Sequence, residues 1–236
     1  FPAADTFTVE TGGSERLRID SSGQVGVNTN SPARNLTVSG GVSEGVIQIT
    51  NNTSGGTAGN GFELLHFTSG ETQLLNRENA AMRFDTNNAE RLRITAGGGI
   101  HFNNGELIER VNVTAGKLSD NTNIDLEDGM MHLFTTTETT TATPNIRINS
   151  STSLNDTMAT GDAISVTIVT TAAAAGYAAT VNIDGATVGT NGGTLNWTGG
   201  SAPDEGGSSG VDIYAYTIMK TASATYTVIA TKTQTS

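Results

Sequence analysis

The sequence predicts an all-β protein: a short-stranded, intertwined β stalk with repeats, followed by a C-terminal β-sandwich of jelly-roll-like type. Three observations carry that expectation. Residues 7–27 align without gaps on residues 82–102, apolar residues alternate with polar ones in runs of three to five, and no segment carries a long helical stripe.

The repeat offset is 82 minus 7, or 75 residues. Its shared block is Glu-Arg-Leu-Arg-Ile, at Glu15-Arg16-Leu17-Arg18-Ile19 and again at Glu90-Arg91-Leu92-Arg93-Ile94, with Thr11 matching Thr86 and Gly23 matching Gly98. Each copy reads as two strands about a polar turn, then a third. Phe7-Thr8-Val9, Leu17-Arg18-Ile19 and Val25-Gly26-Val27 have counterparts in Met82-Arg83-Phe84, Leu92-Arg93-Ile94 and Ile100-His101-Phe102. Alternation makes one face apolar and the other charged. The turns Gly12-Gly13 and Asn87-Asn88 use residues that tolerate positive φ, so reversal after so few residues is feasible. Between the copies, Val46-Ile47-Gln48-Ile49, Phe62-Glu63-Leu64-Leu65 and Gln73-Leu74-Leu75 supply further short strands.

Such strands cannot build a two-layer core within one chain. The composition agrees, because Leu, Ile, Val and Phe make up only about a fifth of the 236 residues, near the low edge for a self-sufficient globule. Three chains about a common axis would each lend one apolar row to a shared interior and pair their edges, which predicts a homotrimer. A monomeric β-solenoid is the alternative on repeat grounds. The expected division is residues 1–40 as the first stalk repeat, 41–110 as the second with its intervening strands, and 111–236 as the β-sandwich knob.

Strands of the second domain are expected at 124–126, 131–135, 144–148, 163–170, 177–184, 187–188, 194–198, 211–220 and 224–232. Asp184-Gly185 is the strongest hairpin signal, since a type I′ turn needs positive φ at both centres. Residues 201–210, rich in Gly and Ser, read as a long exposed loop of the kind that carries function.

The formal net charge of -11, with scattered Lys and Arg, argues against nucleic-acid binding. No run approaches a membrane span. Cysteine is absent, so disulfides and thiolate metal sites are excluded. The chain opens Phe1-Pro2-Ala3-Ala4-Asp5, without an initiator Met or a signal pattern, and an upstream part, missing or cleaved, is expected.

The run from Glu15 through Asp20-Ser21-Ser22-Gly23-Gln24-Val25-Gly26-Val27, continued by Asn30-Ser31-Pro32 and Asn35-Leu36-Thr37-Val38, resembles the stalk repeats of tail fibres and other fibrous virion proteins of tailed phages, cyanophages in particular. His132-Leu133-Phe134, Ala172-Ala173-Ala174-Ala175-Gly176-Tyr177, Trp197-Thr198-Gly199-Gly200 and Asp212-Ile213-Tyr214-Ala215-Tyr216 resemble a C-terminal module of cyanophage structural proteins. The resemblance implies a trimeric virion appendage with a projecting stalk and a distal C-terminal domain. It leaves open a tail fibre or a head-decorating fibre without a receptor role. A polysaccharide depolymerase spike and a bacterial or environmental adhesin are the remaining alternatives.

No catalytic constellation and no cofactor site are expected. His66, His101 and His132 stand in separate strands, and only an inward-pointing His101, repeated about a trimer axis, would offer a metal or anion site. Asp120, Asn123, Asp125, Glu127 and Asp128 lack a calcium register, and alternation places Asn123, Asp125 and Glu127 on one solvated strand face. Adhesion to a host surface glycan is the remaining role. Asp204, Glu205, Ser208 and Ser209 of the long loop, with Tyr214 and Tyr216 beside it, form the expected receptor or interface surface, the tyrosines standing opposite a core face of Val211, Ile213 and Ala215. Trp197, alternating with Leu195, is expected in the core. The Arg16/Arg18 and Arg91/Arg93 pairs are expected to form charged ladders or inter-chain pairs with Glu15 and Glu90.

Overall fold

The computed structural model describes residues 5–103, 106–190 and 192–235. The chain divides into two compact units, Phe1–Leu107 and Ile108–Ser236.

The first unit holds three single-layer sheets. Strands β1 (Phe7–Thr11), β2 (Ser14–Ile19), β3 (Val25–Val27) and β4 (Leu36–Val38) form the first, in chain order, with β4 parallel to β3. Strands β5 (Gly45–Ile49), β6 (Phe62–His66) and β7 (Thr72–Asn76) form an antiparallel meander. Strands β8 (Met82–Thr86), β9 (Ala89–Ile94) and β10 (Ile100–Phe102) form the third.

The repeat seen in the letters is a repeat in space. Thr11 pairs with Ser14 across Gly12-Gly13, and Thr86 with Ala89 across Asn87-Asn88, all four turn residues having positive φ. A register shift follows Val9 in one copy and Phe84 in the other, its counterpart. The second turn closes by a bond from the Gly23 N–H to the Asp20 carbonyl, repeated from Gly98 to Thr95. There the side chain of Asp20 accepts from the Gln24 N–H, and the hydroxyl of Thr95 from the Gly99 N–H, both at 2.9 Å. Different side chains thus serve one backbone geometry.

The second unit is built from two sheets on one core. Its strands are β11 (Val111–Thr114), β12 (Asn123–Asp125), β13 (Met131–Thr137), β14 (Asn145–Arg147), β15 (Ala163–Thr171), β16 (Asn182–Ile183), β17 (Ala186–Thr187), β18 (Thr194–Trp197), β19 (Val211–Ala222) and β20 (Thr225–Gln234). One sheet runs β11-β13-β15-β19-β20-β18 and the other β12-β14-β16-β17. From β11 to β16 the chain passes alternately between them, so β11, β13 and β15 are mutually parallel, as are β12, β14 and β16. This winding differs from a jelly roll, in which neighbouring strands are antiparallel. One-turn helical pieces, Leu118–Asp120, Leu126–Asp128 and α1 (Leu154–Thr157), stand in the crossings β11–β12, β12–β13 and β14–β15.

The shared core draws Ile124, Ile146 and Ile183 from the smaller sheet and Phe134, Val166, Ile168, Tyr214, Tyr216, Ile218 and Val228 from the larger. The expected strand at 177–184 is reduced to two residues, although Ala178 and Val181 are wholly buried. The Asp184-Gly185 turn has positive φ at both residues, as a type I′ hairpin demands. The Asp184 carboxylate also accepts the N–H groups of Leu154 and Asn155, fixing the start of α1. Strand β11 carries only two large apolar residues and was not anticipated from its sequence.

Candidate functional site

The loop at 201–210 is held against the second unit by buried backbone and not by its own side chains. Gly206 and Gly207 are buried, whereas Asp204, Glu205, Ser208 and Ser209 are exposed. The Gly206 N–H donates to the Ala174 carbonyl, and a side chain at Gly206 would run into the Ala173 and Gly176 carbonyl oxygens. The Gly207 N–H donates to Asp212, the Lys232 ammonium donates to the Glu205 carbonyl, and the Gly210 carbonyl accepts from Ala172. The outcome is a pinned loop with four exposed polar side chains around a buried pair of glycines.

Tyr214 and Tyr216 do not join that surface. Both are 1% exposed and lie in the core, which corrects the expected receptor or interface placement. The burial parity of β19 is the reverse of the anticipated one: Asp212, Tyr214, Tyr216, Ile218 and Lys220 point inward, and Val211, Ile213 and Ala215 outward. The inward parity places the charged Asp212 and Lys220 in the interior, where an isolated charge is expensive. Here each has partners. Asp212 accepts from Gly207 and lies 3.4 Å from the Lys232 ammonium, while Lys220 donates to the carbonyls of Asn155 and Met158 at 2.5 and 2.7 Å. Burial pushes both tyrosine phenols well above their ordinary ionisation range, and the Tyr214 oxygen accepts the Ala178 N–H at 3.2 Å. Trp197 is half-buried against this core, its ring edge-on to Tyr216 at 6.2 Å and its indole N–H directed to the Ala179 carbonyl.

The charged groups of the repeats are satisfied within the chain. Arg18 makes paired bonds to Glu15 at 2.7 and 2.6 Å, and Arg93 holds Glu90 in the same way. These arginine hydrogen bonds hold both carboxyls below the usual carboxylate range. Arg16 and Arg91 donate to Thr11 and Thr86. His101 pairs across the sheet with Arg93 and so stands on the charged face, away from Ile100 and Phe102. That removes the basis for an inward-pointing axial histidine. His66 meets the Thr72 hydroxyl, and His132 is buried, with Nε2 3.0 Å from the Gly129 carbonyl.

The acidic stretch forms a side-chain ladder across β12 and β14. Asn145 donates to Asn123 at 2.9 Å, Arg147 to Asp125 at 2.6 Å and Asn149 to Glu127 at 2.8 Å, which puts the three acceptors in one row as alternation requires. Among the described residues no cluster of three or more His, Asp or Glu side chains is arranged to hold a metal ion.

Most of the exposed large apolar side chains among the described residues lie in the first unit. Phe7, Val9, Ile19, Val27 and Leu36 share one face of the first sheet, Ile47, Ile49, Leu64 and Leu74 one face of the second, and Phe84, Ile100 and Phe102 one face of the third; all are more than a third exposed. Leu65 is the one buried side chain among the described Leu, Ile, Val, Met and Phe residues of this unit. Between the first two sheets lies an open cleft of about 680 Å³, with Leu36, Val38, Ile47 and Leu64 on its walls. Three apolar faces and one cleft therefore meet water where the sequence alternation marked an interior.

A scan of family models, a search of curated proteins and a search of solved structures each give no match for this chain.

Proposed function

We propose that the chain is a segment of a phage virion fibre: a homotrimeric stalk made by the first unit, capped by the second unit as a distal knob. The observation that supports this reading is the missing interior of residues 5–103. Three sheets that each leave an apolar face to solvent forgo the main driving force of folding, about 25 cal/mol for every Å² of apolar surface left in water. Copies of the same chain, offering the same faces, supply the cover. The second unit has its own core and needs no such help.

In this reading the first unit provides reach and rigidity and takes no part in chemistry. The exposed Asp204, Glu205, Ser208 and Ser209 are the contact groups for a host surface glycan, displayed on a loop fixed by Gly206 and Gly207. Other virion proteins would be the partners that anchor the fibre. Solution mass of the full chain, measured with and without SDS at room temperature, tests the assembly. Three copies, with SDS resistance, is the expected result; a compact, well-folded monomer at micromolar concentration defeats the proposal. Loss of cell binding on replacing the four loop side chains by alanine, with the mass unchanged, tests the adhesive role.

A further inference from the structure

The six-stranded sheet of the second unit has an outer face with no charge on it. Its rows follow from the strand register. Val113, Leu133, Val169, Ile213 and Thr233 stand side by side across five strands, and Val111, Met131, Thr167, Ala215 and Thr231 form the next row. Beyond them come Ser165, Thr217, Ile229 and Asn196, then Ala163, Met219, Thr227 and Thr194. Every charged residue of β15, β19 and β20 that the rows pass, namely Asp212, Lys220 and Lys232, has the opposite parity and belongs to the inner side.

A sheet face turned to water ordinarily carries charges in alternation with the core residues. This chain has 12 basic and 23 acidic residues to place, and puts none here. We infer that this outer face is the surface on which copies of the second unit pack against one another. The inference rests on the trimeric reading of the first unit, which would bring the copies together.

Three features select a copy of the chain as the occupant. A copy carries the same net charge of -11, so two copies can approach closely only where neither presents charge. The apolar end of the face is β11, where Val111 and Val113 are 38% and 60% exposed and stand beside Met131 and Leu133. The size also suits. Six strands of 4, 7, 9, 12, 10 and 4 residues, at about 3.3 Å per residue and 4.8 Å per strand, cover roughly 700 Å², close to the ~800 Å² that each partner gives to a stable interface.

The absence of cysteine makes the test direct. Single Val113→Cys and Ile229→Cys variants of the full chain would place thiols at positions 60% and 44% exposed in one copy, and a Ser208→Cys variant would place one on the exposed loop. With a maleimide reagent under native conditions, the first two are expected to label at least tenfold more slowly than the third. Equal rates in a protein of trimeric mass would overturn this inference and leave the stalk reading standing. A monomeric mass would overturn both. Protection that persists in a Leu64→Glu variant sedimenting as a monomer would come from the chain's own first unit, and would also overturn the inference.

Discussion

Both carboxylate oxygens of Asp212 accept the Gly207 N–H, at 3.1 and 2.9 Å, so a wholly buried charge on β19 fixes the loop five residues before it. Removing the carboxylate leaves the Gly207 N–H and the Lys232 ammonium without their buried acceptor. An Asp212→Ala variant is expected to lose about 3 kcal/mol from the second unit. It should also open residues 201–210 to proteolysis. Asp212→Asn, which keeps one acceptor oxygen, should lose less; the unfolding midpoint and the time course of loop cleavage measure both effects.

Alkali should attack the second unit first. The Tyr226 phenol is pushed up to about 12 by burial, and those of Tyr214 and Tyr216 are displaced in the same direction. The unfolded chain ionises these phenols near its ordinary value of 10.0, so the stability they confer is present below that pH and falls as pH rises through the folded values. Phenolate absorbance should therefore appear together with loss of structure, and a stepwise titration in the folded protein would contradict the assignment.

Acid should act through different groups in each unit. Desolvation lowers the His132 pKa below its ordinary 6.5, so its contribution is complete above that pH and is lost as pH falls toward the folded value. A His132→Gln variant is expected to flatten the pH dependence of second-unit stability in that window. Glu15 and Glu90, depressed by arginine, contribute above the carboxylate range and lose their contribution as pH falls through their lowered values. Urea midpoints measured from pH 7 down to pH 3 separate the two.

The two copies of the repeat should differ in how much they rely on their glutamate. Among the described residues Glu15 meets Arg18 alone, whereas Glu90 meets Arg93, Arg83 and Asn103. Glu90→Gln should raise amide exchange through residues 82–103 more than Glu15→Gln raises it through residues 7–28. Molar salt should weaken both.

Independence of the units gives a further pair of outcomes. Ile168→Ala removes a wholly buried side chain and is expected to cost about 2–5 kcal/mol in the second unit while leaving the oligomeric mass unchanged. Leu64→Glu puts a charge on a bare face of the first unit and should lower the mass while the second unit, which has its own core, stays folded. Scanning calorimetry with sedimentation resolves the two cases.

The all-β class and the repeat were legible because both depend on local pattern. Gly12-Gly13 and Asn87-Asn88 announce their turns by φ preference, and Leu17 and Ile19 announce a face by alternation. The parity of β19 was not legible. Alternation says which residues share a side, but the side chosen depended on Gly207, Lys232, Asn155 and Met158 supplying partners for Asp212 and Lys220, from 5 to 65 residues away in the chain. The parallel winding was hidden for a similar reason: strands of three residues such as β12 and β14 are defined by their neighbours more than by their own side chains. His101 was decidable in principle, since its place between Ile100 and Phe102 puts it opposite the apolar row.

Among the described residues each copy of the repeat closes its own turns, and the arginines of its Glu-Arg-Leu-Arg-Ile block bond to side chains of the same copy. Length along this part of the molecule is therefore countable in whole cassettes, and a genome could shorten or extend it by recombination at the Glu-Arg-Leu-Arg-Ile block without redesigning a single bond.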